Sequence, residues 1–197
     1  MIIFNYKKKE QVVSKIKEIL DSKEKTIISG GNTIKYLLKN YNGKIHNNKI
    51  LISDERLVNV NSKLRNDLFF KKLVKKKILK DQQIINYKYG EFNYKKIINF
   101  SNKIKKVSFS NAILSLGSKG HFASIFHLNK EVNDFYFINN SEKFPKKRVT
   151  VSLKKISKCK KIFFLASRKK RADEIKNFKK NRLIKQLGIE KVLLITF

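Results

Sequence analysis

The chain has 197 residues, 41% of them hydrophobic, and a formal net charge of +32. The length suits one domain over residues 1–197 with a sizeable core, and the apolar content excludes a disordered chain. The charge points first to nucleic acid, but the lysines are scattered rather than gathered in a block, so a solvated basic surface that draws small anions is the preferred reading over a specific nucleic-acid partner.

Short apolar runs alternate with helical stretches along the chain. Ile2 to Phe4 reads as a strand, and Val12, Val13, Ile16, Ile19 and Leu20 give residues 11–20 a helical spacing. Thr26-Ile27-Ile28 is a strand that ends at Ser29-Gly30-Gly31-Asn32, and a helix from Thr33 to Lys39 follows. Ile50-Leu51-Ile52 is the next strand; it runs out into a segment read as a loop, Ser53-Asp54-Glu55-Arg56. A helix is expected over 67–74, a strand over 84–87 and a helix over 94–104. Residues 112–116 form a strand leading into Gly117-Ser118-Lys119-Gly120-His121, followed by a short helix that also carries His127. Residues 135–138 and 148–153 read as extended, 161–166 as a strongly apolar strand, 171–178 as helical, and 192–196 as a last strand. Strands alternating with helices predict an α/β fold, a mostly parallel central sheet with helices on both faces, of modified Rossmann-like type. Ligands bind at the carboxyl edge of such sheets. If their strands are neighbours, the segments 29–33, 54–56 and 117–121 meet in one pocket.

Cys159 is the only cysteine, so no internal disulfide forms and a reducing, cytoplasmic setting is expected. Lying in Ser-Lys-Cys-Lys-Lys ahead of an apolar strand, it reads as a structural thiol. The N-terminus places Ile2-Ile3-Phe4 before Lys7-Lys8-Lys9, the reverse of a signal peptide. No run has the length of a membrane span, so no membrane partner is expected.

Three segments can carry chemistry. In Ser29-Gly30-Gly31-Asn32-Thr33 the glycines allow a tight turn, and the N–H groups of a helix start favour an anion. Asn32 or Thr33 is placed to cap that helix or to bond a phosphate oxygen; the alternative is an ordinary glycine turn. Arg56 can grip a phosphate or carboxylate bidentately, with Asp54 or Glu55 orienting it; the alternative is a solvated ion pair of little worth. His121 follows a glycine-bearing turn, and imidazole is the side chain that suits proton transfer near neutrality; alone it reads equally as a capping or packed histidine. No metal-ligand spacing and no Gly-x-Ser-x-Gly elbow appear.

Taken in order, these segments resemble the 6-phosphogluconolactonase family, which shares a sugar-phosphate superfamily with the glucosamine-6-phosphate isomerases and deaminases. Ser29-Gly30-Gly31-Asn32-Thr33 is similar to the family's Ser-Gly-Gly-Ser-Thr-Pro, and Asp54-Glu55-Arg56-Leu57-Val58 to Asp-Glu-Arg-x-Val-Pro, with Asn66 downstream. Residues 116–126 resemble Met-Gly-Pro-Asp-Gly-His-Thr-Ala-Ser-Leu-Phe, and Pro145-Lys146-Lys147-Arg148-Val149-Thr150 resembles Pro-Pro-x-Arg-Val-Thr. Arg171-Ala172 sits where the family often has Lys-Ala.

The resemblance implies hydrolysis of 6-phosphogluconolactone in the oxidative pentose phosphate pathway, without cofactor or metal. It implies His121 as general base, and a substrate site built from Gly30, Gly31, Asn32, Thr33, Asp54, Arg56, Arg148 and Arg171. A small phosphorylated sugar lactone is the expected partner, and a monomer or homodimer the expected state. The departures are Lys119 for the motif's aspartate, Phe122 for its threonine, and Ser115 and Ser118 for a glycine and a proline. Lys119 argues against isomerase or deaminase activity, since that aspartate is their base. It is also expected to lower the pKa of His121. Lys119 and Phe122 together raise an alternative, a phosphosugar-binding relative without catalysis.

Overall fold

The computed structural model describes residues 1–39, 41, 43–46, 49–87, 92–129 and 132–197. Seven strands form an entirely parallel sheet: β1 (Ile2–Asn5), β2 (Thr26–Ile28), β3 (Ile50–Ile52), β5 (Ile84–Ile85), β6 (Asn111–Ser115), β9 (Lys161–Ala166) and β10 (Val192–Thr196). Their order is β1-β10-β9-β6-β2-β3-β5. From β2 the chain steps outward through β3 to β5; from β6 it steps the other way through β9 to β10. The seam between β2 and β6 is therefore the point where the winding reverses, the place where such sheets open a crevice at their carboxyl ends.

Strand periodicity divides the core. Ile27, Leu51, Ala112, Leu114, Ile162, Phe164 and Leu194 face one side, while Ile28, Ile50, Ile52, Ile113, Phe163, Leu165 and Ile195 face the other. The second face is covered by α1 (Lys9–Asp21), α2 (Asn32–Leu38) and α3 (Asp67–Lys75), through Val12, Ile16, Ile34, Leu37, Phe70 and Leu73. The first is covered by α4 (Tyr94–Lys105), α5 (Leu153–Ser157) and α7 (Arg182–Lys185), with Ile97, Ile104, Ile156 and Ile184 buried against it. Short α6 (Ala172–Lys176) lies between β9 and α7 in sequence. Both faces being buried explains why the strands read as continuous apolar runs rather than alternating ones. Among the described residues no helix is long and apolar enough to cross a membrane.

Two sequence expectations change. Residues 54–56 are not a loop. They form β4 (Asp54–Arg56), which pairs antiparallel with β8 (Arg148–Val151), and β8 pairs in turn with β7 (Phe135–Ile138). This second sheet of three strands pairs residues far apart in sequence, and a three-residue charged strand carries no periodicity of its own. Nor does a helix follow His121. A 3-10 turn over Ser118–Gly120 precedes it, and a tight turn closed by a Phe122–Ile125 bridge follows. Lys119 (φ 58°) and Ala123 (φ 49°) both occupy left-handed backbone, which a helix cannot hold.

Candidate active site

The carboxyl ends of β2 and β6 meet β4 and β8 around a cavity of about 240 Å³. Gly31, Asn32, Thr33, Asp54, Arg56, His121, Arg148 and Arg171 all line it. Gly30 does not. A β-carbon on Gly30 would stand 2.5 Å from Asn66 Cβ, so this glycine makes room for the Asn66 side chain rather than for a ligand. Gly31 is the N-cap of α2, with no side chain capping that end, so neither Asn32 nor Thr33 acts as the cap.

The β4–β8 register places Arg56 opposite Arg148 and Asp54 opposite Thr150. Two like charges directly across a strand pair oppose each other; an anion between them relieves that cost. Their guanidinium groups are partly committed. Arg148 is buried and donates to the carbonyls of Pro145 (2.9 Å), Lys143 (3.2 Å) and Phe144 (3.0 Å), and to Ser124 Oγ (3.3 Å). Its first role is therefore to hold the 143–145 loop against the pocket. Arg56 donates through Nη1 to the Leu64 carbonyl (2.6 Å), and Arg171 through Nε to the Leu116 carbonyl (3.3 Å). Asp54 is buried and accepts from Ser53 Oγ and Ser124 Oγ, both at 2.8 Å. Glu55 points the other way. Its carboxylate accepts the backbone N–H groups of Arg56 (2.8 Å), Asn66 (2.7 Å) and Asp67 (2.8 Å), clasping the segment that carries Arg56 and Asn66. Burial outweighs those bonds and pushes the Glu55 carboxyl up to about 7.

His121 is held on three sides. Its Nδ1 lies 2.7 Å from the Ser118 carbonyl, its ring stacks on Phe126 with centroids 4.6 Å apart, and it packs on Gly117. A carbonyl only accepts, so Nδ1 carries the proton and the neutral ring keeps a bare Nε2. Burial lowers the imidazole pKa first; the Ser118 carbonyl opposes this, Lys143 and Arg148 add to it, and Asp54 opposes it. The ring is thus neutral around pH 7, ready to accept a proton. Lys119 plays no part in this. Its side chain is 84% exposed and lies 3.7 Å from Glu142, so the expected depression of His121 comes instead from burial, Lys143 and Arg148. Phe122 is a core residue set edge-on to Phe164, outside the pocket lining.

Sequence reasoning missed Lys143 and Phe144, which line the cavity, and Ser124, which joins Asp54 to Arg148. Ser124 lies within the motif around His121 and was open to notice; Lys143 is brought in only by the Arg148 anchor. Cys159 is buried in the core with its thiol pushed up to about 12, so it is no nucleophile.

The family model for glucosamine-6-phosphate isomerases/6-phosphogluconolactonase matches residues 6–192. The chain belongs to this family. A curated relative, the 6-phosphogluconolactonase of Borreliella burgdorferi, is 30% identical over 166 residues, covering 75% of this chain and 70% of its own. The fold is similar to that of the 6-phosphogluconolactonase of Thermotoga maritima, with a TM-score of 0.82 at 21% identity, over 99% of this chain and 98% of that one. It is also similar to a monomeric glucosamine-6-phosphate deaminase, with a TM-score of 0.76 at 13% identity, over 100% of this chain and 97% of that one. The fold thus accommodates both chemistries, and the side chains of the cavity must decide between them.

Proposed function

We propose that this family member hydrolyses 6-phospho-D-glucono-1,5-lactone to 6-phosphogluconate, with His121 as general base. The observation that carries the reading is the His121 ring, its Nδ1 fixed by the Ser118 carbonyl at 2.7 Å, in a cavity lined, among the described residues, by four cationic side chains and a single carboxylate. Nε2 takes a proton from water as the water oxygen adds to the lactone carbonyl carbon. Arg171 or Lys143 faces the oxyanion that develops. The tetrahedral intermediate then breaks its ring C–O bond, and the departing ring oxygen takes the proton back from the imidazolium. The new carboxylic acid ionises and releases one proton. Gly31, Asn32, Thr33 and Arg56 hold the phosphate. Gly30 and Asp54 support them, Gly30 by admitting Asn66 and Asp54 by its place beside Arg148.

Isomerisation or deamination needs a carboxylate free to shuttle protons on the sugar. Among the described residues Asp54 is the only carboxylate lining the cavity, and two serine hydroxyls already engage it. Lys119, at the position of the family's aspartate, points to solvent. Both facts favour the hydrolase. The setting proposed is the cytoplasmic pentose phosphate pathway, with residues 1–197 acting as one domain, as a monomer or homodimer.

The test is the rate of acid release from freshly generated lactone, corrected for spontaneous hydrolysis. Wild type accelerates it, and His121→Ala falls back by about 10²- to 10⁴-fold. Wild-type-like turnover in that variant removes His121 from the mechanism; no acceleration by wild type removes the lactonase reading.

A further inference from the structure

We propose that the Ser115 hydroxyl is an additional hydrogen-bond donor to the substrate's phosphate. The family motif has glycine at this position, so the contact would be this chain's own, and it rests on the lactonase reading above.

Ser115 closes β6, and its backbone N–H donates to Ser29 Oγ at 3.3 Å. That bond pins the strand end to the turn beginning at Ser29. The Ser115 hydroxyl faces this turn, 3.7 Å from the point that a β-carbon on Gly31 would occupy. Its oxygen is buried and has no hydrogen-bond partner, and the residue that carries it lines the cavity. Burying a hydroxyl unpaired is costly, and a glycine would carry no such cost. The atom does not stand alone. Of the six buried side-chain polar atoms without a hydrogen-bond partner among the described residues, three belong to residues that line this one cavity: Ser115 Oγ, Arg56 Nε and Asn66 Oδ1. The first two can donate and the third only accepts. A phosphate accepts only, so it suits the serine and the arginine, while Asn66 Oδ1 suits a sugar hydroxyl. Ser115 is a binding group remote from the reacting carbonyl, so its loss should weaken ground state and transition state alike.

The test uses the full chain with Ser115→Ala and Ser115→Gly, each checked by circular dichroism to keep the wild-type fold. Calorimetric binding of the product, 6-phosphogluconate, needs no turnover. Both variants should bind it about tenfold more weakly, the loss expected for one hydrogen bond to a charged group. KM for the lactone should rise by a similar factor, with kcat within about twofold. Competition by inorganic phosphate, which carries no sugar, should weaken by the same factor. Unchanged product affinity in both variants overturns the inference while leaving the lactonase reading standing. Weakened product binding with unchanged phosphate competition overturns the assignment to phosphate. If wild type binds no 6-phosphogluconate, the inference falls together with the reading beneath it.

Discussion

Replacing Gly117 with alanine adds one carbon at the face of the His121 ring. That carbon would stand 2.1 Å from Cε1 and 2.4 Å from Nε2, whereas ordinary contact begins at 3.4 Å. Gly117 has φ −88° and ψ 173°, extended backbone that alanine adopts freely, so the backbone gives no reason to yield. The ring must retreat by more than an ångström, breaking the bond to the Ser118 carbonyl or the stack on Phe126. A displacement of about 1 Å in a catalytic group costs on the order of 10²-fold in rate. Stability should barely move: the alanine gains roughly 0.4–1 kcal/mol through the unfolded chain, and the lost hydrogen bond costs about 1 kcal/mol. The assay is acid release from the lactone, beside a urea melt, for Gly117→Ala, His121→Ala and the double variant. We expect kcat to fall about 10²-fold in Gly117→Ala with an unchanged urea midpoint. The double variant should be no slower than His121→Ala, because both changes act on one ring. Wild-type turnover in Gly117→Ala, or further loss in the double variant, would refute the idea that Gly117 acts through His121.

The remaining predictions concern pH. A neutral His121 is needed, so kcat/KM should fall as pH drops through an imidazole pKa that lies below its usual 6.5. Lys143→Met removes a positive charge that disfavours the imidazolium, so the acidic limb should move to higher pH; a limb that stays put or moves down contradicts this electrostatic account. Glu55 titrates at about 7 in the fold against a reference of 4.5. Between those values the native state keeps a proton that the unfolded chain has released, so this group's contribution falls as pH rises from 4.5 to 7, by roughly 3 kcal/mol at most. Urea midpoints should show Glu55→Gln with a weaker decline across that window; parallel profiles would exclude the linkage.

Much of the frame was legible because local chemistry and tertiary structure agree. The runs Thr26–Ile28, Ile50–Ile52 and 162–166 are buried, and each strand ends where its apolar residues do. The segments after β2 and β6 were expected to meet if their strands were neighbours, and they meet because those strands are hydrogen-bonded to each other at the reversal of winding. The small sheet was not legible. Asp54-Glu55-Arg56 has the composition of a solvated loop, and it is a strand only because Arg148–Val151 arrives to pair with it.

The same division runs through the site. The amino-acid order alone determined the alternation of strands and helices, the histidine in a glycine-bearing turn, and the motifs that mark the family. It could not determine which way a side chain points. Lys119 was expected to press on His121, but its left-handed backbone and exposed side chain turn it toward Glu142, while Lys143, 22 residues beyond His121, supplies that repulsion. Gly30 and Arg148 read as ligand contacts; packing assigns one to making room for Asn66 and the other first to anchoring a loop. Electrostatic influence follows distance and burial in space, and the sequence specifies neither until the chain has folded.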